Sequence, residues 1–144
     1  MNKMDTVKIL IVNGVNLSQL GTREVSIYGA SSFEEYLGEL KQRYPQIQFE
    51  YIQSDEEGTV ASAVANASGY DAVILNPGAY THTSLVLADA VRTTSCRVIE
   101  VHISNLFGRE NYRRKSMISD ACHGFIAGFG LEGYRLAVEA VIKK

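Results

Sequence analysis

The chain has 144 residues, of which 46% are hydrophobic, and a formal net charge of -2 at neutral pH. That length and apolar content allow one compact domain with a buried core, so we expect residues 1–144 to form a single domain, with residues 1–6 as a flexible tail. The nearly balanced charge argues against a protein whose main task is to hold nucleic acid or an anionic membrane. A small anionic ligand is compatible with it, because a local cluster of arginines suffices.

A short apolar run begins near the N-terminus, at residues 7–12. It ends at Asn13 and Gly14, which is too early for a signal peptide or a membrane-spanning helix. We therefore expect a soluble, cytoplasmic protein. Cys96 and Cys122 lie in unrelated contexts without CxxC or Cys/His ligand spacing, so free thiols are expected rather than a disulfide or a zinc site. We expect no metal and no cofactor.

Apolar β-branched runs alternate with segments of helical spacing along the rest of the chain. The runs predict strands at residues 7–12, 47–53, 72–75, 97–101 and 124–128, and the helical spacing predicts helices at 32–44, 56–67, 83–92 and 131–142. For the first helix, Ser31 or Ser32 is the expected N-cap, and Pro45 ends it. Strict alternation of strands and helical segments indicates an α/β fold with a five-stranded parallel sheet covered on both faces.

Polar side chains follow nearly every predicted strand. They are Asn13 and Asn16 after the first strand, residues 53–55 after the second, Asn76 after the third, and residues 102–104 after the fourth. Open parallel sheets bind ligands beyond the carboxyl ends of their strands. The sequence therefore predicts where a site lies before it indicates what binds there.

A long polar segment at residues 13–24 follows the first strand. Its length and glycines predict a mobile loop, and we take residues 14–29 as a lid over the site. It contains neither GxGxxG nor GxxxxGK[ST], so a cradle for nucleotide phosphates is poorly supported. Arg23 and Tyr28 could both face the strand ends if the loop folds back. A solvated arginine and a core tyrosine are the commoner outcomes for single residues of these types.

Residues 76–84, Asn-Pro-Gly-Ala-Tyr-Thr-His-Thr-Ser, leave the third strand and enter a helix. Thr81 or Thr83 is a candidate N-cap, and the N–H groups at such a helix start attract an anion or a polarised oxygen. Both threonines could simply cap the helix. His82 is harder to explain in that way, because capping does not require an imidazole.

The end of the fourth strand carries a carboxylate and an imidazole two residues apart. Because side chains alternate along a strand, Glu100, His102 and Ser104 point to one face. The carboxylate favours the imidazolium and holds its orientation, so His102 would donate or accept a proton. For an isolated Glu-x-His, an incidental surface ion pair is the alternative.

Two arginines follow this strand at a spacing of four residues. Arg109 and Arg113 would share one face of any helical turn between residues 108 and 115. Paired guanidiniums can hold a carboxylate in a bidentate manner. Because Arg114 and Lys115 are adjacent, a solvated basic patch or a subunit contact is an equally supported alternative.

Three motifs together resemble type II 3-dehydroquinate dehydratase, and the resemblance extends from about residue 9 to the last helix. They are residues 17–28 with Leu-Gly-Thr-Arg-Glu and then Ile-Tyr, residues 76–84, and residues 100–105 followed by Arg109-Glu110. The resemblance implies a flavodoxin-like sheet of order 2-1-3-4-5 and a homo-oligomer, a dodecamer built from trimers. It also implies reversible anti elimination of water from 3-dehydroquinate, through an enolate and without metal or Schiff base, in the shikimate and quinate pathways.

The resemblance further implies catalytic roles for individual residues. Tyr28 would remove the proton next to the ketone, and His102, oriented by Glu100, would protonate the departing hydroxyl. A tyrosine has an ordinary pKa of about 10, so two nearby guanidiniums in a closed site would be needed to keep it ionised at neutral pH. These would be Arg23 on the lid and Arg109.

Further residues would position water or bind the substrate. Asn16 would position a water that bridges to the enolate oxygen. The substrate's hydroxyls and carboxylate would be bound by Asn76, His82, Asp89, Ile103, Ser104 and Arg113.

The chain departs from the family pattern at a few positions, and these bear on whether it has kept the family's function. Val15 and Val25 stand where proline is usual, so we expect a less readily closed lid. Ala88 replaces a common arginine and Gly108 a usual alanine, but no named catalytic residue is lost. A weakened or repurposed relative that acts as a small-ligand-binding oligomer is the main alternative. A flavin- or nucleotide-binding module and a phospho-acceptor domain are less well supported, because the phosphate loop and the clustered aspartates are missing.

Overall fold

The structure is a computed structural model that describes residues 6–15, 17 and 32–143. These residues form five strands, β1 (Val7–Asn13), β2 (Ile47–Gln53), β3 (Ala72–Asn76), β4 (Arg97–His102) and β5 (Gly124–Ala127), and four α-helices, α1 (Phe33–Arg43), α2 (Glu57–Ala65), α3 (Leu85–Thr93) and α4 (Glu132–Ile142). Each was predicted, with ends that differ by no more than two residues. None of the helices in this part of the chain is long and apolar enough to cross a membrane.

The strands form one sheet in the order β2-β1-β3-β4-β5, and every neighbouring pair is parallel. This confirms the predicted α/β fold, the flavodoxin-like strand order and the parallel sheet. The strict alternation of strand and helix was wrong at one place. Between β4 and β5 the chain forms three short 3₁₀ turns, Leu106–Gly108, Asn111–Arg113 and Ser119–Ala121, since this polar segment has no apolar stripe to hold a helix against the sheet.

The two faces of the sheet bury two separate apolar layers. Side chains alternate along β1, so Ile9 and Ile11 pack on one face against α1 and α4, whereas Leu10 and Val12 pack on the other against α2 and α3. Strands covered on both faces are apolar at every position, which explains the unbroken run in β3. The predicted double covering of the sheet is therefore confirmed.

The helix starts show where local sequence determines the structure and where it does not. Ser32 caps α1 in a reciprocal capping box with Glu35, in agreement with one of the two predicted caps. The predicted caps of α3, Thr81 and Thr83, were wrong. Ser84 caps this helix by accepting a hydrogen bond of 2.9 Å from the Leu87 amide, because residues 78–82 form a 3₁₀ turn first.

The central strands bring two loops into contact at the carboxyl edge of the sheet. Asn13 pairs with Asn76 in the register of β1 and β3, and the Gly14 amide donates to the Asn76 carbonyl at 2.7 Å. A Cβ atom on Gly14 would lie only 2.6 Å from the Pro77 carbonyl oxygen. The two loops that leave these strands therefore pack backbone against backbone.

Candidate active site

A cavity that is open to solvent lies at this carboxyl edge, where open parallel sheets bind their ligands. Its walls come from the segments that follow β1, β3 and β4. It is lined by the predicted site residues Asn76, His82, His102, Ile103, Ser104, Arg109 and Arg113. Val15, Leu17 and Leu106 add an apolar part to the wall. The cavity therefore lies where the sequence predicts a site, beyond the strand ends.

Glu100 and His102 form a buried acid–base pair at the end of β4. The Nε2 atom of His102 lies 2.5 Å from Oε2 of Glu100, and the two side chains are 5% and 0% exposed. Since Nε2 is directed at the carboxylate, Nδ1 is the ring nitrogen that can serve a bound molecule. The ring also packs against Phe125, with centroids 5.6 Å apart. The pair therefore holds the imidazole in one orientation and is not an incidental surface contact.

The carboxylate of Glu100 is held ionised despite its burial. Burial alone would raise the pKa of this carboxyl, but hydrogen bonds and charge from His102, with further hydrogen bonds from Ser119 and Thr81, outweigh it and hold the pKa below its ordinary value. The site therefore combines an ionised carboxylate with an imidazole, the side chain most often used for proton transfer.

Two guanidiniums supply positive charge to the cavity. Nη1 of Arg109 donates to the Ser104 hydroxyl at 3.3 Å, and Nε of Arg113 pairs with the Glu110 carboxylate at 2.8 Å. They do not share a helical face as predicted. Arg109 is in extended backbone and Arg113 ends a 3₁₀ turn, yet both line the cavity. The arrangement suits a ligand carboxylate.

Asn76 is held from behind by a chain of buried hydrogen bonds. Its Nδ2 donates to the Tyr134 hydroxyl at 2.8 Å, and that hydroxyl donates to Oδ1 of Asn13 at 2.7 Å. Its Oδ1 accepts from the Gly78 amide at 3.1 Å. The amide therefore has one orientation at the cavity wall, which is what a group that recognises a substrate hydroxyl requires.

His82 lies at the end of the 3₁₀ turn after β3 and joins two walls of the cavity. Its Nδ1 lies 2.6 Å from the Lys115 carbonyl oxygen, and the neighbouring Thr81 carbonyl accepts from the Met117 amide at 2.7 Å. These two bonds fasten the segment after β4 to the turn after β3. Within the described residues, no group of three or more His, Cys, Asp or Glu side chains is placed to hold a metal ion.

Comparison with known proteins identifies the family. Residues 7–142 match the family described as dehydroquinase class II. The chain belongs to this family. It is 42% identical to a 3-dehydroquinate dehydratase of Pelodictyon phaeoclathratiforme, over 96% of this chain and 94% of that protein, and 44% identical to one of Bacillus cytotoxicus, over 95% and 96%.

Solved structures agree with this assignment. A type II dehydroquinase from Butyrivibrio crossotus has a TM-score of 0.90 at 39% identity, over 94% of this chain and 97% of that one. One from Propionibacterium acnes has a TM-score of 0.91 at 35% identity, over 99% and 100%. The resemblance drawn from the three sequence motifs is confirmed.

Not every predicted site residue can be placed at this cavity. Asn16, Arg23 and Tyr28, and most of the predicted lid, lie outside the described residues. Asp89 is described, but it is exposed on α3 and does not line the cavity of the single chain, because its neighbours on the helix turn into the core. One of those neighbours is Ala88, the departure noted above, which is buried in the apolar layer.

Sequence reasoning missed the residues that support the site from behind. Thr81 was considered only as a cap, and Asn13 only as a polar strand end. Ser119 and Tyr134 were not considered. Thr81 and Ser119 are each 19 positions from Glu100, and Tyr134 is 121 from Asn13, so no local spacing could have indicated these contacts.

Proposed function

We propose that this chain catalyses the reversible anti elimination of water from 3-dehydroquinate, giving 3-dehydroshikimate through an enolate without metal or Schiff base. The observation that carries the proposal is the buried Glu100–His102 pair, which opens on a cavity lined by two arginines in a member of the class II dehydroquinase family. The buried pair supports the role of His102 as the acid, and the two arginines support binding of an anionic group.

The first step is removal of the proton next to the ketone. In the proposal Tyr28 is the base that takes this proton, and the electron pair of the broken C–H bond forms the enolate. Arg23 and Arg109 stabilise the phenolate and the enolate, and Asn16 positions a water at the enolate oxygen. The roles of Tyr28, Arg23 and Asn16 rest on the family resemblance alone.

The second step is loss of the hydroxyl from the carbon that bears the carboxylate. The enolate returns its electron pair, a carbon–carbon double bond forms, and the carbon–oxygen bond breaks. His102 gives its proton to the departing oxygen, so water leaves rather than hydroxide. Glu100 stays ionised and keeps the imidazole oriented.

Substrate binding completes the proposal. Arg113 binds the carboxylate, and Asn76, His82 and the Ile103–Ser104 segment bind the hydroxyls. The fixed amide of Asn76 supports such a role, because an oriented donor loses little freedom when it binds. Asp89, which is exposed on α3 and does not line the cavity of the single chain, keeps its substrate-binding role only as a prediction from the resemblance.

The experiment is a direct assay of the purified protein. Incubation with 3-dehydroquinate should produce the ultraviolet absorbance of the conjugated product, in the presence of a chelator and after borohydride treatment. Tyr28→Phe should reduce turnover by orders of magnitude while ligand binding is retained. Absence of product, or loss of activity only after borohydride, would refute the proposed chemistry.

The dodecamer of trimers and the cytoplasmic location expected from the sequence are part of the same proposal. Light scattering coupled to size-exclusion chromatography tests the assembly, since a chain of 15.9 kDa and its dodecamer differ twelvefold in mass. Fractionation of cells that express the protein tests the location.

A further inference from the structure

The carboxylate of Glu100 accepts more than the bond from His102. Oε2 also accepts from the Thr81 hydroxyl at 2.6 Å, and Oε1 accepts from the Ser119 hydroxyl at 2.6 Å. Both oxygens of a fully buried carboxylate therefore have a short hydroxyl donor. Neither Thr81 nor Ser119 lines the cavity, so neither is placed to contact the substrate.

The Ser116 hydroxyl holds the Thr81 hydroxyl and the backbone of Ser119 in place. Oγ of Ser116 lies 3.0 Å from Oγ1 of Thr81 and accepts from the amides of Ile118 and Ser119 at 3.1 and 2.9 Å. Because the Thr81 hydroxyl donates to Glu100, it accepts from Ser116. The turn after β3 and the segment before β5 thus present fixed donors to one carboxylate.

We propose that Thr81 and Ser119 are positioning residues for His102 that act through Glu100. The inference rests on the proposed function, in which His102 is the acid. Hydroxyl donors stabilise the ionised carboxylate and fix both of its oxygens. Without one donor the pKa of Glu100 rises and the carboxylate loses a fixed contact, so it holds the imidazole less firmly in the orientation that the acid needs.

The neighbouring titratable groups do not provide an alternative explanation. His102 is the partner itself, and the Cys122 thiol lies 4.0 Å from Oε1. Burial, and then the negative charge of Glu100, raise the pKa of Cys122 to about 12, so this thiol stays protonated at lower pH. The Arg92–Asp120 ion pair is at the surface, with side chains 51% and 77% exposed.

The experiment measures kinetics and ring protonation in the intact enzyme. Ser119→Ala and Thr81→Val should each lower kcat about tenfold, as expected for loss of one hydrogen bond to a charged group, with KM within about twofold. In ¹⁵N solid-state NMR of histidine-labelled protein, protonation of Glu100 shifts the His102 signal, and the pH of this change should be higher in both variants than in wild type. The chain has only three histidines, and His102→Gln assigns the signal.

Matched variants separate positioning from mere support. Ser119→Thr and Thr81→Ser restore a hydroxyl and should restore both readouts, whereas Ser62→Ala and Thr93→Val, which remove hydroxyls elsewhere, should change neither. If the pH at which Glu100 protonation shifts the His102 signal were the same as in wild type for both Ser119→Ala and Thr81→Val, the inference would be overturned, as it would by a rise in KM without a fall in kcat. The NMR titration needs no substrate, so it tests the inference even if the wild-type protein failed the dehydratase assay.

Discussion

Replacing Glu100 by glutamine keeps the shape of the side chain and removes its charge, so its effect can be worked out from the contacts. The carboxylate accepts hydrogen bonds from His102, Thr81 and Ser119. Glutamine keeps one acceptor oxygen, and its NH₂ group then faces a donor. Hydrogen bonds to charged groups contribute about 1.5–3 kcal/mol each, and breaking a buried pair by removing one partner costs about 3–5 kcal/mol. We expect Glu100→Gln to lower the free energy of unfolding by about 3 kcal/mol at neutral pH.

The difference in the free energy of unfolding between wild type and Glu100→Gln should change with pH in a definite direction. The pKa of Glu100 is lower in the folded protein than in the unfolded chain, where it is about 4.3. Its contribution to stability is therefore complete above the unfolded value and is lost as the pH falls through the lower, folded value. The difference between wild type and Glu100→Gln should be greatest near neutral pH and should shrink below about pH 4.

Urea unfolding followed by circular dichroism measures both effects. The protein concentration is kept constant, because association stabilises a protein by mass action. Asp120→Asn is the control, since it neutralises an exposed carboxylate in the same segment and should change the free energy by less than about 1 kcal/mol. If Glu100→Gln were as stable as wild type at neutral pH, the free-energy cost of burying the charge would equal the free energy that its hydrogen bonds contribute. The reasoning would then be refuted.

Three further substitutions test other parts of the site. Arg113→Ala should raise KM for 3-dehydroquinate at least about tenfold with a smaller effect on kcat, whereas the exposed Arg114→Ala should not; equal KM values in steady-state kinetics would contradict a binding role. Tyr134→Phe should lower the free energy of unfolding in urea by about 1–3 kcal/mol, because two buried amides each lose a partner, and an unchanged midpoint would contradict this. Gly78→Ala should lower the free energy of unfolding by about 1–2 kcal/mol or more, because φ of Gly78 is +63° and a Cβ atom there would lie 2.8 Å from the Val15 carbonyl oxygen. An unchanged melting temperature would disprove this expectation.

The fold was predictable because its signals are local. Residues 72–75 are apolar at every position, and a strand of that kind is buried on both faces, as β3 is. The pairing of Glu100 with His102 follows in the same way from the two-residue period of a strand. Both inferences need only the residues of one element and the geometry of the backbone.

The parts that failed depend on contacts between distant segments. Thr81 has the right residue type and position to cap α3, but its hydroxyl donates to Glu100, and Ser84 caps the helix instead. Arg109 and Arg113 have helical spacing, but the segment that holds them is fastened to the turn after β3 and has no apolar stripe to form a helix. In each case a tertiary hydrogen bond outweighs a preference of a few tenths to about 1 kcal/mol.

The segment between β4 and β5 couples the two parts of the proposed chemistry. It supplies Arg109 and Arg113 to the cavity and, a few residues later, the Ser119 hydroxyl to Glu100. Two hydrogen bonds, from the Met117 amide to Thr81 and between Lys115 and His82, fasten it to the turn that supplies the other hydroxyl. The segment therefore cannot move away from the cavity wall without weakening the hydrogen bonds to Glu100. A buried charge that would be costly alone is kept ionised by the same loops that line the cavity, so in the proposed chemistry substrate binding and support of the acid depend on one segment.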